Sequence, residues 1–431
     1  MKNYKDLSAF LDASPVNFFA VKTVTEHLDE AGFVRLDMRK QWALEPGGRY
    51  YVIKNDSAVF AFVVGTGDVA ESGFKIIAAH SDSPGFRVKP NCEMVTDGNI
   101  VKLNTEVYGG PILYTWFDRP LSLAGRVILR GDNPLFPEHR LVKFDRHLLT
   151  IPHLAIHFNR NVNDGNKLSK QKDMLPVLGK VNNPGDAKGL ITRIVAEKLG
   201  VKPEEIIDYD LSLFDTSRAC VVGLNGEYIT SGRIDDLSMV HAAMSALLDS
   251  LNKESAATRV MAIFDNEETG SGTKQGAASP VLDMILRRIA AVFDNSEEYY
   301  FRAVESSFMV SADDAHGVHP NYVEKQDPTN HPTLGGGPVI KINANCKYMT
   351  DADSSAVFKT ICDRAGVKSQ YFVNHSDVAG GSTLGNILTS QIPLRGVDVG
   401  AAIWAMHSAR ETASLSDHAD MIAAFTEFYN L

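Results

Sequence analysis

The segment RVMAIFDNEETGSG, Arg259 to Gly272, places two adjacent carboxylates, Glu267 and Glu268, where an apolar run gives way to glycines. Neighbouring carboxylates repel each other and lose hydration on burial, so a buried pair needs nearby cations or a retained proton. Four further segments offer partners. KIIAAHSDSPGF ends an apolar run on His80, with Asp82 two residues on, where a carboxylate can accept the second N–H of a metal-bound imidazole. SGRIDDLSMV places Asp235 and Asp236 at the start of an amphipathic stretch, where helix capping explains them equally well when they are taken alone. FMVSADDAHGVHPNY adds Asp313, Asp314, His316 and His319, and IWAMHSARE adds His407 after another apolar run. Single histidines of this kind are more often structural.

As a set they carry a chemistry. Two histidines and three or four carboxylates at the ends of apolar segments, with no cysteine among them, are a hard ligand set suited to two Zn²⁺, Mn²⁺ or Co²⁺ ions. Two ions about 3.5–4 Å apart need a bridging carboxylate and leave a water acidic enough to attack a carbonyl. One of Glu267 and Glu268 then binds metal and its neighbour is the general base. Two nucleotide-like patterns do not hold. GTGDVA (65–70) fits G-x-G-x-x-A, but ESGFKIIAAH continues as a strand where the fingerprint needs a helix, and GSGTKQG lacks the Gly-Lys-Ser/Thr order of a P-loop.

The elements that must position these residues read as an α/β protein. Residues 1 to about 90 read as helix followed by the strands AVFAFVV and KIIAAHS. From Asp235 onward, helix-spaced DDLSMVHAAMSALLDSLNKE, the strand RVMAIFD, and the helices PVLDMILRRIAAVFD and SSAVFKTICDRAG alternate. Such alternation predicts a mixed, largely parallel sheet sandwiched by helices, with functional residues at the strands' C-terminal ends. Between them the character changes to short alternating runs, GRVILRG and ACVVGLNG, with one helical segment, LITRIVAEKLG. The expected division is a discontinuous catalytic domain, 1–91 plus 232–431, interrupted by a β-rich inserted domain, 92–231.

Bulk properties narrow the partners. The 431 residues, 44% hydrophobic, exceed what one compact core needs, and a formal charge of −10 without basic runs argues against nucleic acid or an anionic membrane. Small molecules or peptides fit better. The four cysteines are widely spaced and form no CxxC pair, which suits a reducing compartment. With no secretory pattern at the start and no run of ~20 apolar residues, a cytoplasmic location is expected, and Asn55-Asp-Ser57 and Asn374-His-Ser376 are chance glycosylation matches.

Six ordered motifs, AAHSDSPGFRVKP, GRIDDLSMV, FDNEETGSGT, SADDAHGVHPNY, DVAGGSTLG and AMHSARE, resemble the aspartyl aminopeptidase and vacuolar aminopeptidase I family of zinc metallopeptidases. The resemblance implies a metal-dependent aminopeptidase acting on peptides, with two divalent ions, Zn²⁺ foremost. It further implies a dimerisation domain inserted in the catalytic one, and a tetrahedral dodecamer built from dimers. By motif, His80 and Asp313 would hold one metal, Glu268 and His407 the other, and Asp235 would bridge them. Glu267 would be the base, Asp82 would orient His80, and Gly380, Gly381 and Ser382 would lie beside the substrate. IPHLAIHFNRN resembles the stretch that lends a neighbouring subunit's site a histidine, either His153 or His157. One departure bears on specificity: in IKINANCKY, Asn345 stands where animal members with acidic preference carry a lysine, with Lys347 two residues on. Acidic or neutral N-terminal residues are therefore both expected. The competing functions are a related two-metal deacylase or carboxypeptidase, and a scaffold without catalysis.

Overall fold

The computed structural model describes residues 2–431, with side chains from Leu7 onward. Two compact units divide the chain. One comprises the chain up to Asp82 together with Ala219–Met406 and Glu411–Leu431; the other comprises Ser83–Arg218 and His407–Arg410.

The first unit is built on a nine-stranded sheet. Its spatial order is Val34–Arg35, Arg49–Lys54, Ala58–Val63, Thr258–Phe264, Phe74–His80, Phe308–Ala312, Arg395–Gly400, Val339–Ile342 and Gln370–Val373. The four central strands, Thr258–Phe264 through Arg395–Gly400, are mutually parallel, and antiparallel pairings flank them on both sides. Continuous apolar runs such as VMAIF form these strands because both sheet faces are covered, leaving no solvent side to select alternation. Ile77, Met261 and Val310 pack into one core layer, and Ile76, Val260 and Met309 into the other. Helix Ile234–Asp249 covers the first layer; Val281–Phe293 covers the second with Val281, Leu282, Ile285, Leu286 and Ile289 at helical spacing. The mixed, largely parallel sheet sandwiched by helices is the expected fold.

A smaller five-stranded sheet, ordered Cys220–Val222, Tyr228–Ser231, Glu411–Ser414, Ala402–Trp404 and Ala315–His316, belongs to the same unit. ACVVGLNG therefore contributes here, where Cys220–Val222 pairs with Tyr228–Ser231. The strand Arg49–Lys54 carries no clear sequence signal, because charged residues close both its ends and only its centre is buried.

The second unit is an antiparallel six-stranded sheet. Its order is Glu138–Lys143, Leu121–Leu129, Ile206–Asp215, Gly85–Thr96, Ile100–Tyr108 and Val177–Lys180. Helix Leu190–Leu199, bounded by left-handed Gly189 and Gly200, packs Ile191 and Val195 into its separate core with Leu103, Leu123 and Ile151. Strand Gly85–Thr96 spans residue 92, where the sequence character changes, with a register irregularity between Val88 and Glu93. Among the described residues, no helix is long and apolar enough to cross a membrane.

Candidate metal centre

Paired register brings the chemistry together. Phe264 and His80 are partners at the ends of two parallel strands, so Glu267 and Glu268 emerge just beyond the level of the histidine. The chain reverses there through left-handed Asn266 (φ 65°), the single turn Glu267–Thr269, and Gly270 (φ 90°). Gly270 suits that conformation because a side chain would be strained in it. Asn266 locks the turn: its side-chain oxygen accepts from Gln275 Nε2 (2.8 Å) and Thr273 Oγ1 (2.9 Å).

His80 is 1% exposed. Its Nδ1 lies 3.1 Å from the Asp82 carbonyl and 3.3 Å from Asp82 Oδ1, both acceptors, so Nδ1 carries a proton and Nε2 is the ring nitrogen turned to the site. Nε2 faces three carboxylates: Asp235 Oδ1 at 3.5 Å, Asp313 Oδ1 at 3.8 Å and Asp236 Oδ2 at 4.0 Å. Asp82 does more than orient the imidazole. Its two oxygens accept the backbone N–H groups of Glu267 and Glu268, each at 3.1 Å, tying the glutamate turn to the end of the histidine strand.

Asp235 and Asp236 open the stretch Ile234–Asp249 with non-helical backbone (ψ 111° and 19°). Asp236 Oδ2 accepts the His80 N–H at 3.0 Å, while the Asp235 N–H donates to buried Glu411 at 3.1 Å. Asp313 follows strand Phe308–Ala312 and meets the buried Lys341 ammonium at 3.3 Å. Asp314 points elsewhere, accepting from Ser238 Oγ at 2.7 Å.

The electrostatics are those of an excess of buried negative charge. Burial, opposed by His80 and reinforced by Asp313, Asp82 and Asp235, pushes Glu267 up to about 8. Burial also raises Glu268, Asp236 and Asp314 well above the carboxylate range, with Asp235 adding to each. Burial alone would lower His80, but Asp236, Asp235, Asp313 and Asp82 together raise it well above its ordinary value. Carboxylates at this density must hold protons or face cations. A divalent ion fits the donor set: His80, Asp235, Asp236 and Asp313 offer ligand atoms within 4.8 Å of one another, as do His80, Glu267 and Glu268. Asp236 Oδ1 is buried with no hydrogen-bond partner. Neutral imidazole and carboxylate oxygens with no thiolate are ligands for Zn²⁺, Co²⁺ or Mn²⁺.

His407 follows strand Ala402–Trp404 with a left-handed backbone (φ 68°), and its Nδ1 donates to the Gly110 carbonyl at 3.1 Å. His153 packs edge-on against Phe117, ring centroids 4.5 Å apart, and its backbone N–H donates to Asp118; His157 is exposed in the single turn Ile156–Phe158. Gly380, Gly381 and Ser382 form a surface loop, where a Cβ on Gly380 would lie 2.6 Å from Asn374 Oδ1. Asn345 and Lys347 are exposed, and the Asn345 N–H donates to Asn343 Oδ1. His316 ends a strand of the small sheet, and His319 Nδ1 accepts the Asn321 N–H. Two residues escaped the sequence reading. Lys341 carried a signal, a charge inside the apolar strand VIKI; Glu411, four residues beyond His407, read as an ordinary surface acid.

Parallel strands that deliver a histidine and clustered carboxylates to one sheet edge define an α/β metallohydrolase. The chain belongs to the M18 family, the aminopeptidase I zinc metalloproteases, whose family profile matches residues 10–429. It is similar to a probable M18 family aminopeptidase 2 of Clostridium novyi, 49% identical over 431 residues, covering all of this chain and 99% of that one. The corresponding protein of Clostridium acetobutylicum is 50% identical over 427 residues, covering 99% and 98%. Among solved structures, a chain of the cryo-EM Ape4 and Nbr1 complex is 34% identical with a TM-score of 0.95, covering 99% of this chain and 85% of that one. The S. cerevisiae mApe1 dodecamer is 26% identical with a TM-score of 0.85, covering 99% and 95%.

Proposed function

We propose that this protein is a cytoplasmic metalloaminopeptidase that removes the N-terminal residue of peptides with the help of two divalent ions, Zn²⁺ foremost. The observation that carries the reading is His80 Nε2 facing Asp235, Asp236 and Asp313, beside a glutamate pair held in place by Asp82. By the family resemblance, His80 and Asp313 would hold one ion, Glu268 and His407 the other, and Asp235 would serve both. When bound, such a pair of ions acidifies a water and polarises the scissile carbonyl.

The chain's own residues do the rest. Glu267 takes the water's proton on its carboxylate and returns it to the departing amine nitrogen. Its backbone is fixed through Asp82, so the base stays aligned with the histidine strand. Lys341, beside Asp313, offsets part of the site's negative charge. Gly380, Gly381, Ser382, Asn345 and Lys347 flank the bound peptide, whose first residue is acidic or neutral. Twelve chains assemble, as in the S. cerevisiae dodecamer. The family resemblance of IPHLAIHFNRN adds that the assembly is built from dimers and that His153 or His157 enters a neighbour's site.

A panel of aminoacyl amides and their N-acetylated counterparts tests the function. Hydrolysis of the free-amine series alone is expected. Preferential cleavage of the acetylated series would make the protein a deacylase, and silence with every divalent metal would leave a scaffold.

A further inference from the structure

We infer that Asp398 is a positioning residue for peptide binding: one buried carboxylate that ties two separate loops together beside the Lys341–Asp313 pair. The inference rests on the metalloaminopeptidase reading above.

Asp398 lies in the central strand Arg395–Gly400, is fully buried, and pairs in register with Ser311, two residues before Asp313. Its two oxygens serve two different segments. Oδ1 accepts the Thr383 hydroxyl at 2.6 Å and Oδ2 accepts the Met349 N–H at 2.6 Å. The Asp398 N–H donates back to Thr350 Oγ1 at 2.9 Å. Thr383 sits at the N-cap of helix Leu384–Thr389, where a threonine hydroxyl ordinarily accepts a helix N–H; here it makes no cap and turns to the carboxylate. Gly385 allows the approach, since a Cβ there would stand 2.5 Å from Asp398 Oδ2.

Both tied segments lead toward the reacting groups. Tyr348, one residue before Met349, is buried with its ring centroid 5.8 Å from Lys341 Nζ, and that ammonium is 3.3 Å from Asp313 Oδ2. Thr383 directly follows the exposed loop carrying Gly380 to Ser382, which packs on Asn374 and, through it, Asn343. Charging a buried carboxylate is costly, and burial raises Asp398, opposed by hydrogen bonds from Ser311, Thr383 and Met349 and by the charge of Lys341. The hydrogen bonds from Thr383 and Met349 offset that cost, and they hold the two loops in one arrangement.

Thr383→Val removes one tie while keeping shape, and Asp398→Asn keeps an acceptor for Met349 and a donor for Thr383. The measurements are kcat, KM, bound metal and thermal midpoint. For Thr383→Val we expect KM for a peptide substrate to rise about tenfold with kcat within about twofold, because the interaction lost is binding rather than chemistry. Metal content and thermal midpoint should stay near wild type, and Asp398→Asn should recover most of the KM that Asp398→Ala loses. An unchanged KM, or a loss that merely follows stability or metal content, overturns the assignment. If the wild-type protein cleaves no aminoacyl amide, the functional reading fails separately. Amide hydrogen exchange then decides: exchange over 378–383 must quicken in Thr383→Val, and unchanged exchange removes Asp398 from this role.

Discussion

Glu267 and Glu268 are chemically alike and neighbours in sequence, yet the site asks different things of them. A base must accept a proton at working pH, whereas a ligand must stay ionised against a cation. Glu267→Gln keeps the shape but cannot take the proton, so turnover should fall by about 10²–10⁴-fold with metal content unchanged. Kinetics with elemental analysis on one preparation checks this, and near-normal turnover would move the base elsewhere. Asp235 is assigned to both ions, so Asp235→Ala should lose both; one ion at full occupancy would reduce it to an ordinary ligand. The segments quoted for His80, Asp235, Glu267 and Asp313 held most of this site, because a polar residue ending an apolar run is visible in one dimension. What Asp82 does for the glutamate turn was not visible, since its two N–H partners lie 185 and 186 residues away.

Strands and turns set the geometry within which those side chains work. Asp82 joins the end of Phe74–His80 to the turn Glu267–Thr269, and an asparagine there would aim an N–H₂ at a backbone N–H. Asp82→Asn should therefore lower kcat/KM by about 10- to 100-fold, the usual range for a group supporting metal ligands. Intact activity would show that the turn holds itself. Helices Ile234–Asp249 and Leu415–Asn430 meet through His241 Nδ1 and His418 Nε2, 2.9 Å apart and both buried. Burial holds His418 down to about 4 and, with His418 beside it, His241 well below its ordinary value. The unfolded chain then binds more protons than the folded one below pH 6.5, so stability is full above that pH and falls on acidification toward pH 4. Each proton contributes a slope of up to about 1.4 kcal/mol per pH unit, and urea unfolding at pH 7, 6 and 5 should show a shallower slope in His418→Gln. Equal slopes would mean the pair is not the sensor. The buried central strands Phe74–His80 and Thr258–Phe264 were legible as apolar runs. Arg49–Lys54 was not, because a half-buried strand with charged ends matches neither period cleanly.

At the scale of the whole molecule, the α/β character of the first unit was readable from alternating strands and helices, and the antiparallel second unit from its short alternating runs. Where one compact unit ends was less legible, because strand Gly85–Thr96 spans the residue where composition shifts. The proposed assembly makes a prediction of its own. If His153 or His157 acts in a neighbour's site, subunits carrying Glu267→Gln mixed with subunits carrying His→Phe should regain activity that each parent lacks. Exchange of subunits without recovery would exclude a histidine acting between chains. The central claim, an aminopeptidase working with two divalent ions, is met most directly by titrating the metal-depleted protein with Zn²⁺ while following bound metal and aminoacyl-amide hydrolysis together. Two ions per subunit, with turnover absent from the depleted protein and restored as they bind, is the predicted result. Full turnover after complete metal removal, or saturation without any binding at the His80 cluster, would contradict it.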